Sequence, residues 1–236
     1  MKIFIEVNDL MLNSTIYIHE NKQCVIIDPS DPKNVKNTLK INGWNAVAVL
    51  FTHSHFDHIA GIKTLIEKNP AIPIYINPRE KENLFTPEGN LSKLIGMSFS
   101  IPKNSNIIEL VDDKDFIIES SNSTFSFLLH SCFVPGHSIG STMFEFKAKN
   151  DNDEETTYLA TGDFLFEGTV GRTDFAGGSS KEMRDSLQKF MKRYIPMDDR
   201  KIVIIHSNKR LCFFTCVELP CNISIHFSPC SPEHIR

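Results

Sequence analysis

Short apolar runs alternate with polar residues along the first half of the chain and predict a succession of strands and helices. Five strands are predicted there, over residues 3–7, 15–19, 24–28, 46–51 and 72–76. A helix is predicted over residues 31–41, and another over residues 59–68, where apolar residues recur at helical spacing. The run 46–51 is apolar throughout, as expected of a strand that is covered on both faces.

The second half is again rich in strand patterns and contains one amphipathic helix. Residues 79–104 are polar and predict a loop with one helical turn, and residues 150–155 predict a solvated hairpin tip. Strands are predicted over residues 106–111, 116–119, 124–130, 142–147, 156–160 and 201–205. Ser179 and Glu182 form a capping-box pattern. Behind it, a helix carries a stripe of apolar residues at Met183, Leu187, Phe190, Met191 and Tyr194.

The order of these elements indicates the fold class. No internal repeat and no linker divides the chain of 236 residues, so a single domain is favoured. Two β-rich blocks, each with helices attached, predict an α+β protein. The expected architecture is a four-layer αββα sandwich of two mixed sheets with the helices on the outer faces.

Charge and composition exclude several classes of function. The balance of 25 Lys and Arg against 29 Asp and Glu gives a net charge of −4, which disfavours binding to nucleic acid through its phosphates. No apolar run approaches the length of a membrane span. The N-terminus predicts a first strand rather than a signal or transit peptide, so a soluble, cytoplasmic protein is expected.

The six cysteines fall into two groups. Cys24 and Cys132 lie in apolar runs and are expected to be buried thiols. The other four, Cys212, Cys216, Cys221 and Cys230, lie in the last 25 residues at a spacing that is a poor zinc pattern. A disulfide framework is not expected there without a secretory signal.

One short motif carries the strongest chemical signal of the sequence. His53, His55, Asp57 and His58 lie within six residues, directly after a predicted buried strand and directly before a predicted helix. Imidazole and carboxylate groups suit Zn²⁺, Fe²⁺ or Mn²⁺. Because neighbouring side chains on a curling loop point in different directions, the motif predicts two metal ions, or one ion with supporting groups. The alternative is a histidine-rich surface loop without a ligand.

Three more candidate ligands stand where other predicted strands end. They are His137, Asp163 and His206. Each one alone is more often a turn or capping residue, but ligand sites in sheet proteins collect where strands end and loops begin. Their joint occurrence with the histidine motif therefore predicts one metal site built from several strand ends.

These residues resemble the metallo-β-lactamase superfamily and, within it, the short glyoxalase II-like (hydroxyacylglutathione hydrolase-like) enzymes. The resemblance covers residues 1–206 and rests on the motif at residues 53–58, on Pro135-Gly136-His137, on Gly162-Asp163, and on a last strand that ends in His206. Supporting stretches are Ile27-Asp28-Pro29, Asn90-Leu91-Ser92 and residues 171–175. The resemblance implies the αββα sandwich, with the metal site at one edge between the sheets.

The resemblance also implies roles for individual residues. A first metal ion would bind His53, His55 and His137. A second would bind Asp57, His58 and His206, with Asp163 bridging the two ions. Two Zn²⁺ ions per chain are expected, and iron or manganese would also suit these ligands. A hydroxide between the ions, oriented by Asp57, would attack the carbonyl of a small thioester such as S-lactoylglutathione, whose thiolate leaves without a general acid.

Two further residues have two interpretations each. Asp28 would hold a ligand histidine in its tautomer, or would be a turn residue at a strand end. Arg172 would bind the glutathionyl part of the substrate, or would pair with Asp174 to stabilise its loop. The expected binding partner is a small thioester substrate. Binding to nucleic acid or to a membrane is not expected, and no oligomeric state is predicted.

The sequence departs from the family pattern near its end. His206 lacks the Pro-Gly-His-Gly context that aims the last ligand, and the resemblance stops after Ser207. Residues 207–236 are expected to be an atypical, cysteine-rich and partly disordered tail. Two alternatives to the hydrolase follow. One is an iron-dependent persulfide dioxygenase that uses residues matching His53, His137 and Asp163, and the other is a catalytically impaired member that binds metal only.

Overall fold

The computed structural model describes residues 1–7, 14–122, 124–149, 153–166, 168–194, 202–206, 211–215 and 226–229. The first block of strands comprises β1 Lys2–Val7, β2 Ser14–Glu20, β3 Gln23–Ile27, β4 Asn45–Leu50, β5 Ile74–Ile76 and β6 Ile107–Glu109. The second comprises β7 Lys114–Glu119, β8 Ser126–Phe133, β9 Thr142–Lys149, β10 Glu155–Gly162, β11 Leu165–Phe166, β12 Thr169–Val170, β13 Ile202–His206, β14 Leu211–Thr215 and β15 His226–Pro229. The α-helices are α1 Pro32–Asn42, α2 Phe56–Ile59, α3 Ile62–Lys68 and α4 Ser180–Tyr194.

The strands form two mixed halves that join at one register position. In the first half the strand order is β6-β5-β4-β3-β2-β1, with β3 to β6 parallel to one another. In the second half β7, β8, β9, β10 and β13 are neighbours, and β10 runs parallel to β13. The halves meet where Lys2 pairs with Lys149. The two predicted sheets are therefore two halves of one curled sheet.

The alternation of side chains along the strands produces the layers. On β3, Cys24 and Ile26 face the cluster beneath α1 and α3, whereas Val25 and Ile27 face the cluster between the two sheet halves. On the far side, Met183, Phe190 and Tyr194 of α4 pack on a third apolar cluster, which includes residues of β9, β10 and β13. Three apolar layers between four layers of elements confirm the predicted αββα sandwich.

The structure corrects the prediction of one helix over residues 59–68. Two helices, α2 and α3, replace it, because Gly61 interrupts the segment at a close contact with Pro29. The Gly61 N–H donates to the Pro29 carbonyl at 2.7 Å, and a Cβ on Gly61 would lie 2.6 Å from that oxygen. The contact fixes the motif helix α2 against the loop that follows β3.

Other predictions are confirmed or refined. The capping box of α4 is half formed: Ser179 Oγ accepts from the Glu182 N–H at 3.2 Å, but the Glu182 carboxylate pairs with Arg79 instead. Residues 79–104 contain two 3₁₀ helices, Pro78–Phe85 and Ser92–Ile95, rather than one turn. Cys24 and Cys132 are buried free thiols, as expected.

The C-terminal region is described only in part. Strands β14 and β15 extend the sheet beyond β13, and the sequence pattern did not predict them. Residues 150–152 of the predicted hairpin tip at 150–155 lie outside the described residues, as do Cys216, Cys221 and Cys230. No helix in the described part of the chain has the length and apolar character needed to cross a membrane.

Candidate metal centre

The histidine motif lies in the loop between β4 and α2, where the apolar strand gives way to a tight turn. His53, Ser54, His55 and His58 are all buried. The loop is held from outside by the Thr142 N–H, which donates to the Thr52 carbonyl at 2.8 Å, and by the Phe56 N–H, which donates to the Asn90 carbonyl at 2.8 Å. The single turn of α2 then brings His58 back towards His53.

Two clusters of ligand-type atoms form around His53. His53, His55 and His137 make the first, and His53, His58 and Asp163 make the second. Within each cluster the nitrogen and carboxylate oxygen atoms lie within 4.8 Å of one another. His137 comes from the loop after β8 and Asp163 from the residue after β10, so the folded sheet brings together side chains from three separate strand ends.

A cation fits this arrangement of donors. Nε2 of His53 is buried and has no hydrogen-bond partner among the described residues. Burying a polar atom without a partner costs free energy, so the place of this nitrogen among further donor atoms fits a site for a cation. Neutral imidazoles and a carboxylate within a few ångströms are the donor set that zinc, iron and manganese use.

A buried carboxylate sets the tautomers of two of the histidines. Asp28 Oδ2 accepts from the Thr52 hydroxyl at 2.6 Å and lies 2.9 Å from Nδ1 of His58. Because the Thr52 hydroxyl donates to Asp28, it accepts from Nδ1 of His53, 3.1 Å away. Both rings then carry a proton on Nδ1, which leaves Nε2 of His53 with its lone pair towards the cluster. Nε2 of His58 lies 3.1 Å from Oδ1 of Asp163, so a cation bound there would take the place of a second ring proton. The predicted contact of Asp28 with a motif histidine is present.

The other three clustered side chains, His55, His137 and Asp163, are held by contacts of their own. Nδ1 of His137 donates to the Arg172 carbonyl at 2.8 Å, and its Nε2 faces Nδ1 of His55 at 3.0 Å. The two carboxylate oxygens of Asp163 face different clusters, at 3.1 Å from Nε2 of His58 and 3.5 Å from Nε2 of His137. Asp163 thus lies between the two clusters, and its role as a bridging ligand stays a prediction.

The electrostatics of the cluster depend on burial and on the carboxylates. Desolvation and the other histidines hold the pKa of His53 well below its ordinary value. Desolvation, followed by the charge of His137, lowers the pKa of His55 to about 4. Burial also acts to lower the pKa of His58, but the carboxylates of Asp163 and Asp28 outweigh it and raise that pKa well above its ordinary value. His53 and His55 are therefore ready to bind a cation without losing a proton.

Comparison with known proteins decides the family. The sequence model of the metallo-beta-lactamase superfamily matches residues 8–204. The chain belongs to this superfamily. It is 30% identical over 175 residues to the "Probable metallo-hydrolase YqgX" of Bacillus subtilis (strain 168), an alignment that covers 73% of this chain and 75% of that protein.

Two solved structures show the same fold. The BLEG-1 B3 metallo-beta-lactamase superposes with a TM-score of 0.73 at 24% identity, and the match covers 89% of this chain and 93% of that one. TTHA1623, solved in a di-iron-bound form, superposes with a TM-score of 0.67 at 22% identity, covering 88% and 93%. At these identities the likeness extends to the metallo-β-lactamase fold alone.

Two predicted ligands of the second metal ion lie outside both clusters. Asp57 is partly buried in the first turn of α2, and His206 is buried as the last residue of β13. His206 pairs in register with Gly162, next to Asp163, and its ring meets the edge of Phe166 at 5.7 Å. The structure thus groups His58 with His53 and Asp163, and ligation by Asp57 and His206 stays a prediction.

Arg172 pairs with Asp174, as expected if its role is to stabilise the loop. Its guanidinium makes two hydrogen bonds of 2.7 Å to the Asp174 carboxylate. The same guanidinium lies 3.9 Å from the centre of the Phe175 ring, which in turn meets His55 edge-on at 6.1 Å. Arg172 therefore lies one aromatic ring away from the first cluster, and substrate binding by Arg172 stays a prediction.

Sequence reasoning missed three residues that shape the site. Thr52 connects Asp28 to His53 through two hydrogen bonds of its hydroxyl group, and its place directly before the motif was the available signal. Phe175 meets the ring of His55 edge-on, and its place in the supporting stretch 171–175 was the available signal. Glu80 is fully buried beside the motif loop, and its polar sequence surroundings gave no sign of that burial.

Proposed function

We propose that the protein is a metal-dependent hydrolase of a small thioester, an S-2-hydroxyacylglutathione such as S-lactoylglutathione. The observation that carries the proposal is the pair of ligand clusters that share His53. The name of YqgX, a probable metallo-hydrolase, supports hydrolysis as the reaction class. The proposal includes two Zn²⁺ ions as cofactors, a small molecule as the partner, and the cytoplasm as the location.

The chain's own residues would hold the cofactor and orient the reactants. His53, His55 and His137 would hold one ion, and His58 and Asp163 would hold a second together with His53 or with Asp57 and His206. A bound ion supplies a Lewis acid and lowers the pKa of water to about 7, so that a nucleophile is available at neutral pH. Asp57, at the start of α2, would orient the attacking water towards the substrate carbonyl.

A thioester suits the residues around the clusters. Its thiolate is a good leaving group that departs without a proton, so no separate general acid is needed. The glutathionyl part carries carboxylates, and Arg172 places a cation near His55 through Phe175. To bind such a substrate, Arg172 would replace its ion pair with Asp174 by one with a substrate carboxylate. The pair between Arg172 and Asp174 is exposed to solvent and therefore weak.

Release of thiol from S-lactoylglutathione by the Zn²⁺-loaded protein tests the proposal. Wild type should release thiol at a rate proportional to enzyme, and His55→Ala should not. A panel of thioesters without glutathione tests the contribution of the thiol part, and Arg172→Ala should raise KM for the glutathione esters only. Absence of turnover with every thioester, while two ions remain bound, would refute the thioester assignment.

A persulfide dioxygenase is the second candidate, because two of the residues that it would use approach each other. Its single iron would be held by residues matching His53, His137 and Asp163, and Nε2 of His137 lies 3.5 Å from Oδ2 of Asp163. Metal analysis of protein purified without added metal separates the candidates. Two zinc ions per chain support the hydrolase, whereas one iron ion, with oxygen consumption on glutathione persulfide, supports the dioxygenase.

A further inference from the structure

Glu80 is a buried carboxylate that belongs to neither ligand cluster. It lies in the 3₁₀ helix Pro78–Phe85, which follows β5, and it is completely inaccessible to solvent. Burying an ionised carboxylate is costly unless its oxygens are fully hydrogen-bonded. A carboxylate in such a place therefore requires an explanation in terms of what it holds.

Two of the residues that donate to Glu80 belong to the two loops that carry the first cluster. Oε2 accepts from the N–H of Ser54 at 3.3 Å and from the Ser54 hydroxyl, and Ser54 stands between His53 and His55. Oε1 accepts from the N–H of Gly140 at 2.7 Å, three residues after His137. Each oxygen of one carboxylate is thus bonded to a different ligand-bearing loop.

The surroundings keep this carboxylate in place. Asn83 Nδ2 donates to Oε2 at 3.3 Å, so all four partners of Glu80 are donors and the group acts only as an acceptor. The loops approach so closely that a Cβ on Gly140 would lie 2.8 Å from Cγ of Glu80 and 2.9 Å from Cγ of Asn77. Only glycine fits there without displacing the carboxylate.

We propose that Glu80 is a positioning residue for the first metal site, holding the Ser54 and Gly140 loops at the separation at which His53, His55 and His137 converge. The inference depends on metal binding at these histidines and not on the identity of the substrate. Without the carboxylate, the distance between the two loops would be fixed only when the ion binds. Part of the binding free energy would then be spent on ordering the loops, which lowers the affinity for the ion.

The test compares Glu80→Gln with Glu82→Gln, an exposed glutamate of the same 3₁₀ helix that undergoes the same chemical change. The amide introduced by Glu80→Gln offers one acceptor oxygen and one NH₂ group, so it cannot accept from both loops. Affinity for Zn²⁺ alone is measured by competition with a chromophoric chelator. The first Zn²⁺ equivalent should bind about 10- to 100-fold more weakly to Glu80→Gln, while Glu82→Gln should match wild type.

Two further measurements separate positioning from a general loss of fold. The visible absorption bands of the Co²⁺-loaded protein should change in Glu80→Gln and not in Glu82→Gln, because they report ligand geometry. Ser54→Ala removes one donor and leaves the carboxylate, and it should weaken the first Zn²⁺ equivalent to a smaller extent. If Glu80→Gln fails to fold, Ser54→Ala decides the question. Wild-type Zn²⁺ affinity in a folded Glu80→Gln, or in Ser54→Ala, would overturn the proposal.

Discussion

The substitution Asp28→Asn tests whether a single carboxylate prepares both ligand clusters. Asp28 has a left-handed backbone conformation, with φ of 49°, which asparagine also tolerates. The change therefore preserves shape and backbone and replaces an acceptor oxygen by an NH₂ group. At the present position of Oδ2, that group would donate to Thr52 and face Nδ1 of His58. The Thr52 hydroxyl would then donate to His53 rather than accept from it.

The expected loss follows from the two affected rings. With Nδ1 as acceptor, the proton of His53 and that of His58 moves to Nε2, the atom directed at the clusters. Loss of such a supporting partner costs about 10- to 100-fold in metal affinity, or about 1.4 to 2.8 kcal/mol per ion. Because His53 belongs to both clusters, both metal equivalents should weaken.

Zn²⁺ titration against a competing chelator at neutral pH measures this loss, and ¹⁵N NMR of the imidazole rings reports the tautomers directly. Asp113→Asn is the matched control. Asp113 also has a positive φ, of 53°, and also accepts from a histidine, His130 at 3.1 Å, but it belongs to neither cluster. Unchanged Zn²⁺ affinity in Asp28→Asn, with His53 and His58 still protonated on Nδ1, would refute this role of Asp28.

Three further predictions concern individual ligands, pH and packing. Metal analysis should show that His55→Ala loses the first ion and that His206→Ala keeps it. The affinity for the second ion should fall less in His206→Ala than in His58→Ala. Full metal content in His55→Ala would contradict the assignment of the site. Folding lowers the pKa of His55 from 6.5 to about 4. Between these two pH values the unfolded chain binds more protons than the folded one, so the free energy of unfolding of the metal-free protein should decrease as the pH falls from 6.5 to about 4. Urea unfolding should show a shallower loss in His55→Asn, and an equal slope would count against this origin. Gly162→Ala would place a Cβ in steric conflict with Thr52 Oγ1 and should lower the free energy of unfolding by about 1 to 3 kcal/mol, measured by thermal unfolding. Gly43→Ala, with φ of 63° and open space around it, should cost less, and equal losses would contradict the steric cause.

Much of the fold was predictable because its layers follow from local patterns. The continuous apolar run of β4 predicts burial on both faces of the strand, and the stripe on α4 predicts which side of that helix is buried. Those faces form the apolar layers. The break between α2 and α3 was not predictable from spacing, since it depends on the contact between Gly61 and Pro29, 32 residues apart. The pairing of Lys2 with Lys149 is likewise a long-range contact that leaves no local pattern.

The candidate site also contains residues that the sequence pattern could predict and residues that depend on long-range packing. The motif histidines, His137 and Asp163 could be singled out because several ligand-type side chains occur together at the ends of predicted strands, which is visible in the sequence. The grouping of His58 with His53, rather than with Asp57 and His206, depends on how one turn of α2 folds back. Glu80 could not be predicted, because its burial results from the packing of the 78–85 helix against two distant loops.

The two supporting carboxylates show how the two halves of the sandwich meet at this site. Asp28 follows β3 and Glu80 follows β5, both in the first half, which also carries the motif loop. His137 and Asp163 come from the second half, after β8 and β10. A cation held by both clusters would therefore join the halves at the edge where Gly140 meets Glu80. An ion that binds only the folded state stabilises it by an amount that grows with its concentration, about 2.7 kcal/mol at one hundred times Kd. The groups that would bind the ion are thus also groups through which the ion would stabilise the contact between the two halves.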